Sequence, residues 1–145
     1  MPKDKSSGKK VSSSKRLNSP NDIIVKSDGS IWFSDPVFGI SGNYEGYKCE
    51  SEILEAVYRF EPQTGEIQIV ADGINGPNGL CFSPDESVLF IVESRGVPTR
   101  KILAYDVESD GRTLSNKRVH VDAQNGTPDG MRCDVDGNLW CGWGM

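Results

Sequence analysis

The 145-residue sequence contains no apolar run approaching the roughly 18 residues that a membrane-spanning helix requires, so no membrane partner is expected. Its first residues are basic, but no apolar stretch follows them. No secretory signal is visible, and the cytoplasm is the expected compartment. Methionine is scarce, with three residues, and histidine scarcer still, with one. Cys49, Cys81, Cys133 and Cys141 include no C-x-x-C pair, which removes the ligand spacing of a structural zinc site. Three of them, Cys81, Cys133 and Cys141, sit in apolar strand-like runs, where a reduced cysteine acts as a small hydrophobe. The lone His120 stands between Val119 and Val121, the position of a solvent-facing strand residue rather than a catalytic base.

Positive charge is also missing from most of the chain. Residues 1–16 hold six of the sixteen Lys and Arg and one of the twenty-one Asp and Glu, which leaves ten basic against twenty acidic residues in the remainder. A body of that sign excludes nucleic acid as the main partner. It suits a cation site, and it equally suits a merely solvated surface. Residues 1–15, "MPKDKSSGKKVSSSK", have almost nothing to bury and are expected to form a disordered basic tail. Residues 16–145 then form the folded domain.

What the sequence has in quantity is turns. Sixteen Gly and eight Pro separate short apolar or alternating runs. Turns are expected at Ser27-Asp28-Gly29, Gln63-Thr64-Gly65, Pro84-Asp85, Asp110-Gly111 and Asp136-Gly137, each between two strand-like runs. Asp-Gly between such runs is a hairpin signal, because glycine takes positive φ without steric cost. The fold class is therefore all-β and antiparallel.

The hairpins also repeat. Pro20-Asn21-Asp22-Ile23, Pro77-Asn78-Gly79-Leu80 and Pro128-Asp129-Gly130-Met131 each open a strand. The prolines lie 57 and 51 residues apart, close to the roughly 40–50 residues of a four-stranded propeller blade. An insertion, "VFGISGNYEGYKCESEILE", lengthens the first interval, and its Asn43, Tyr44 and Glu45 are candidates for a lid. The count gives about 2.5 four-stranded blades of a β-propeller, fewer than the 4–8 needed to close a ring, which implies a longer parent. In a propeller, equivalent residues of successive inner strands converge on the axis. Asn21, Asn78 and Asp129 hold one repeat position, and all three offer oxygen donors of the kind that hard cations bind. They are also good turn residues, and spacing alone leaves both readings open.

"RLNSPNDIIVKSDGSIWFSDP", "GPNGLCFSPDESVLFIVES" and "GTPDGMRCDVDGNLW" resemble the SMP-30/gluconolactonase family, which includes regucalcin. The resemblance implies a six-bladed propeller with one divalent cation in its channel, Ca2+ first and Zn2+ or Mg2+ after it. It implies Asn78 and Asp129 as metal ligands, with Asn21 near metal and substrate. Asp22, next to Asn21, is a candidate substrate-side residue that could orient that amide or contact the metal shell, and it is equally a structural turn cap. It further implies hydrolysis of a small-molecule lactone or cyclic ester, with Asp129 as the catalytic carboxylate. The family's third ligand is a Glu in a blade preceding these motifs, and residues 1–15 contain no Glu. The chain alone is accordingly expected to be a truncated, inactive fragment of a lactonase. A non-catalytic binding or scaffold propeller and a calcium-binding regulatory protein stay open as alternatives.

Overall fold

Each expected turn closes a hairpin in the computed structural model, which describes residues 9–11 and 14–145. Gly29, Gly65, Gly111 and Gly137 all take positive φ, between 69° and 87°, at the tips. The fifth tip lacks glycine, and there Glu86 takes φ 57° instead. Its carboxylate is held by the Ser27 amide at 2.7 Å and by Lys26 Nζ at 2.9 Å, which fixes the left-handed residue against the neighbouring hairpin.

Ten strands result, in chain order. The first sheet contains β1 (Ile23–Val25), β2 (Ile31–Asp35), β3 (Ala56–Glu61) and β4 (Glu66–Ala71). The second contains β5 (Pro77–Phe82), β6 (Val88–Glu93), β7 (Lys101–Val107) and β8 (Leu114–Asp122). The third contains β9 (Thr127–Cys133) and β10 (Leu139–Gly144). Every sheet is an antiparallel meander in sequence order. Among the described residues the only helical segment is a 3-10 turn at Phe38–Ile40. No helix there is long and apolar enough to cross a membrane.

β1 begins at Ile23, three residues later than Pro20. Proline has no N–H to give, yet the ladder continues upstream through Asn21 N–H to Ser34 O and Ser34 N–H to Asp22 O, both 3.0 Å. Of the expected disordered tail, residues 1–8, 12 and 13 lie outside the described residues. The described part of it runs along the outer edge of β4, where the Val11 amide donates to Ile67 O and the Ile69 amide donates to Lys9 O.

The first strands of successive sheets are neighbours: β5 packs against β1 on one side and β9 on the other. The sheets therefore radiate from a line along which β1, β5 and β9 run. Alternation of side chains along each middle strand explains how the blades adhere. From β6, Leu89 and Ile91 enter one core with Trp32, Val57 and Val70 of the first blade. Phe90 and Val92 enter another with Met131 of the third. Trp32 is fully buried, its ring edge-on to Phe82 at 5.2 Å and its indole N–H donating to Ser30 Oγ. On the far side of β2, Phe33 stacks on Tyr58 at 5.6 Å.

Candidate metal and substrate site

The strand entrances nearest the axis carry the repeated motif, and the structure shows what holds each in place. The Arg16–Asn21 turn is built on Asp35, the last residue of β2. This fully buried carboxylate accepts the Asn18 and Ser19 amides, each at 2.8 Å. Burial pushes the Asp35 carboxyl upward, and Glu55 nearby adds to the rise, which these two N–H donors only partly offset. Ser19 Oγ in turn donates to Pro36 O at 2.6 Å.

The Asn75–Gly76 turn before the second motif is saturated with partners. The Asn75 amide donates to Glu93 Oε1 at 3.1 Å, and the Gly76 amide donates to Glu55 Oε1 at 3.0 Å. Their carbonyls accept the Arg95 and Ser94 amides, both at 3.0 Å. Glu55 reaches across from the first blade, where its other oxygen accepts the Val37 amide.

Against this background one atom stands out. Asn78 is buried in β5, and its Oδ1 has no hydrogen-bond partner. A buried amide oxygen without a donor costs about 1–3 kcal/mol, a cost that a bound ligand or water would offset; Arg59 Nε and Tyr105 Oη are the other such atoms among the described residues. Asp129, by contrast, is exposed. Gly79, next to Asn78, lets the two strands approach: a Cβ on Gly79 would overlap the Asp129 carbonyl oxygen, so β5 and β9 touch at this level only because Gly79 has none. Asn21 is exposed at the head of β1.

Asp22 draws the three entrances into one unit. Its Oδ2 accepts the Leu80 amide of β5 at 3.1 Å, and both its oxygens pair with the Arg132 guanidinium of β9 at 2.9 Å. Burial alone would raise its carboxyl, but Arg132 and the Leu80 and Ile23 amides outweigh it and hold the group below its ordinary value. Both oxygens of the residue expected beside the substrate are thus engaged by protein.

The fitness of the site for a cation rests on the donor chemistry. Among the described residues no cluster of three or more His, Cys, Asp or Glu could hold a metal. The three strand entrances carry one carboxylate and two amides, and the orphaned Asn78 oxygen is a donor that a hard cation would complete.

Asp35, Glu55, Glu93 and Arg132 were not legible as site residues. Asp35 offered one signal, a carboxylate ending the otherwise apolar run "IWFSD". Of the tryptophans, Trp32 packs between blades. Trp140 instead lies exposed on β10 and donates to Asp134 Oδ2 at 2.9 Å. The candidate lid residues lie in an exposed loop, and Tyr44 is almost wholly solvated. His120 is exposed, packed against the Phe90 ring at 4.8 Å.

Blades that radiate from neighbouring inner strands, with Asn21, Asn78 and Asp129 at their entrances, define part of a β-propeller. Residues 4–145 match the SMP-30/gluconolactonase/LRE-like region, and the chain belongs to that family. It is 35% identical over 134 residues to a gluconolactonase of Zymomonas mobilis, covering 87% of this chain and 36% of that protein. Among solved structures it is similar to a gluconolactonase from Xanthomonas campestris, with TM-score 0.80 and 39% identity, over 89% of this chain and 42% of that one. A regucalcin from Agrobacterium tumefaciens, described as calcium-binding, shares the fold at TM-score 0.64 and 20% identity, over 97% of this chain and 54% of that one. The chain thus spans less than half the length of the two gluconolactonases. Its fold is two four-stranded blades and half of a third, of the six-bladed kind.

Proposed function

We propose that these strand entrances form part of a metal-dependent centre that hydrolyses sugar lactones. The observation that carries this reading is the buried, unpartnered Asn78 Oδ1 beside Asp129, in a chain related to gluconolactonases. Asn78, Asp129 and Asn21 would hold one divalent cation, Ca2+ before Zn2+ or Mg2+, because the donors are all oxygen. When bound, that cation supplies Lewis-acid polarisation of the lactone carbonyl.

The chain's own residues do the rest. Asp129, exposed at the entrance of β9, holds the attacking water and accepts its proton at the carboxylate. The water oxygen bonds to the carbonyl carbon and the ring C–O bond breaks. The proton passes to the departing ring oxygen, which gives the open hydroxy acid. Asn21 offers its amide to a substrate oxygen. Asp22 works at one remove, fixing Asn21 relative to β5 and β9 through its bonds to Leu80 and Arg132.

One carboxylate with two neutral amides binds Ca2+ only weakly, on the order of 10⁻⁴–10⁻³ M. Little or no turnover is therefore expected from these 145 residues alone. Calorimetric titration of Ca2+ into the wild-type chain and Asp129→Ala tests the site: heat is expected from the first and none from the second. Equal heats would remove Asp129 from it.

A further inference from the structure

Arg95 lies in the connection between β6 and β7, two residues beyond Glu93, which pairs with Pro77 at the start of β5. It therefore stands at the same end of the second blade as Asn78. Its amide donates to Asn75 O at 3.0 Å. Its stem is clamped on Gly76, where a Cβ would lie 3.0 Å from Arg95 Cγ, 3.2 Å from Arg95 Cβ and 3.1 Å from Phe38 Cε1. Gly76 has φ +63°, so a side chain is disfavoured there twice over. The guanidinium lies over the Phe38 ring, with Cζ 4.5 Å from the centroid.

That arrangement leaves the guanidinium edges unused. Arg59, Arg118 and Arg132 each pair with a carboxylate. The Arg95 side chain has no hydrogen bond or ion pair among the described residues, and the residue is exposed. A guanidinium held over a ring, with its stem fixed, loses little freedom when it binds. Its planar fork matches a carboxylate or phosphate in two-point fashion. The chain beyond residue 16 carries twenty acidic against ten basic residues, a field that would repel an anionic substrate unless a cation stood at the entrance.

We infer that Arg95, positioned by Phe38 and Gly76, is a specificity-determining residue that binds an anionic substituent of the lactone, a carboxylate or phosphate borne away from the ring carbonyl. The inference rests on the lactonase reading above. The ring-opened acids are stable ligands, so binding tests it without turnover. Calorimetric titration of the 145-residue chain with gluconate, glucarate and gluconate 6-phosphate, with Ca2+ present, compares wild type with Arg95→Met, Arg95→Lys and Phe38→Leu.

Arg95→Met is expected to weaken at least one of the two doubly anionic acids by tenfold or more while changing gluconate by less than twofold. The acid that loses more identifies carboxylate or phosphate as the preferred group. Arg95→Lys, which keeps the charge but not the fork, falls between, and Phe38→Leu loses about threefold on the same acid. An equal change on all three acids, no change on any, or no binding of any acid by the wild type overturns the inference. Unfolding of Arg95→Met is monitored by its melting curve; should it melt early, the Arg95→Lys preference ratio decides alone. The lactonase reading fails separately, by unchanged Ca2+ binding in Asp129→Ala.

Discussion

Arg132 and Asp22, 110 residues apart in sequence, face each other in a two-point ion pair with both contacts at 2.9 Å, and the pair ties the third blade to the first across the strand between them. Because Asp22 also accepts the Leu80 amide, one carboxylate fastens all three inner strands. Its side chain is 12% exposed, whereas that of Arg132 is 59% exposed, so the pair is shielded on one side only and screening reduces its strength.

Asp22→Asn should therefore cost about 1–3 kcal/mol, the range for losing hydrogen bonds to a charged group. The pH dependence has a definite sign. The folded-state value lies below the ordinary one near 4, so the contribution is present above about pH 4 and is lost as the pH falls through the folded value. Chemical denaturation at pH 7 and pH 3 should show a wild-type loss of stability that shrinks in Asp22→Asn.

Asn78 offers the opposite kind of test, because its oxygen costs stability when no ligand meets it. Asn78→Leu keeps the branching and heavy-atom count and removes the orphaned acceptor, so without metal the variant should melt no lower than wild type. With millimolar Ca2+ the wild type should gain melting temperature and the variant should not. A large loss of stability in metal-free Asn78→Leu would mean that the amide has an internal partner.

Gly79→Ala should separate strand contact from site chemistry. The added Cβ would meet the Asp129 carbonyl, which is backbone and cannot swing away. Strain of this kind typically costs about 1–3 kcal/mol. The displacement of β9 should also weaken Ca2+ binding, although no ligand has been changed. Calorimetry alongside a melting curve reads both.

The interblade cores should dominate stability. Trp32→Ala, at a fully buried indole, is expected to cost about 3–5 kcal/mol. Trp140→Ala, at a side chain 69% exposed, should stay within about 0.5 kcal/mol. Denaturant midpoints compare the two directly.

The parts of the fold that local chemistry dictates were legible from sequence. Gly29, Gly65, Gly111 and Gly137 occupy positive φ because only such residues close those turns cheaply, and the strands between them followed. That Asn21, Asn78 and Asp129 stand at the entrances of β1, β5 and β9 was legible as well, because equivalent turns in a repeat open equivalent strands. The clamps were not. Asp35 reaches back 17 positions to Asn18, Glu93 reaches 18 to Asn75 and Glu55 reaches 21 to Gly76. A carboxylate that accepts backbone amides over such distances leaves no local pattern. Lys9–Val11 escaped for a related reason: backbone pairing along β4 needs no apolar side chain, so polar composition gave no sign of it.

Side-chain alternation in β6 makes the second blade the only one among the three sheets with another blade packed on both faces. Protection should therefore grade across the molecule rather than being uniform. Amides of Leu89–Val92 can exchange with solvent only when two cores open together, while those along the exposed stretch of β8 need no such event. Native-state hydrogen exchange would then show the slowest protons in the middle of the chain, flanked by faster ones on both sides. Slow breathing of the outer blades would reach the inner strand entrances last at Asn78, the donor most deeply held.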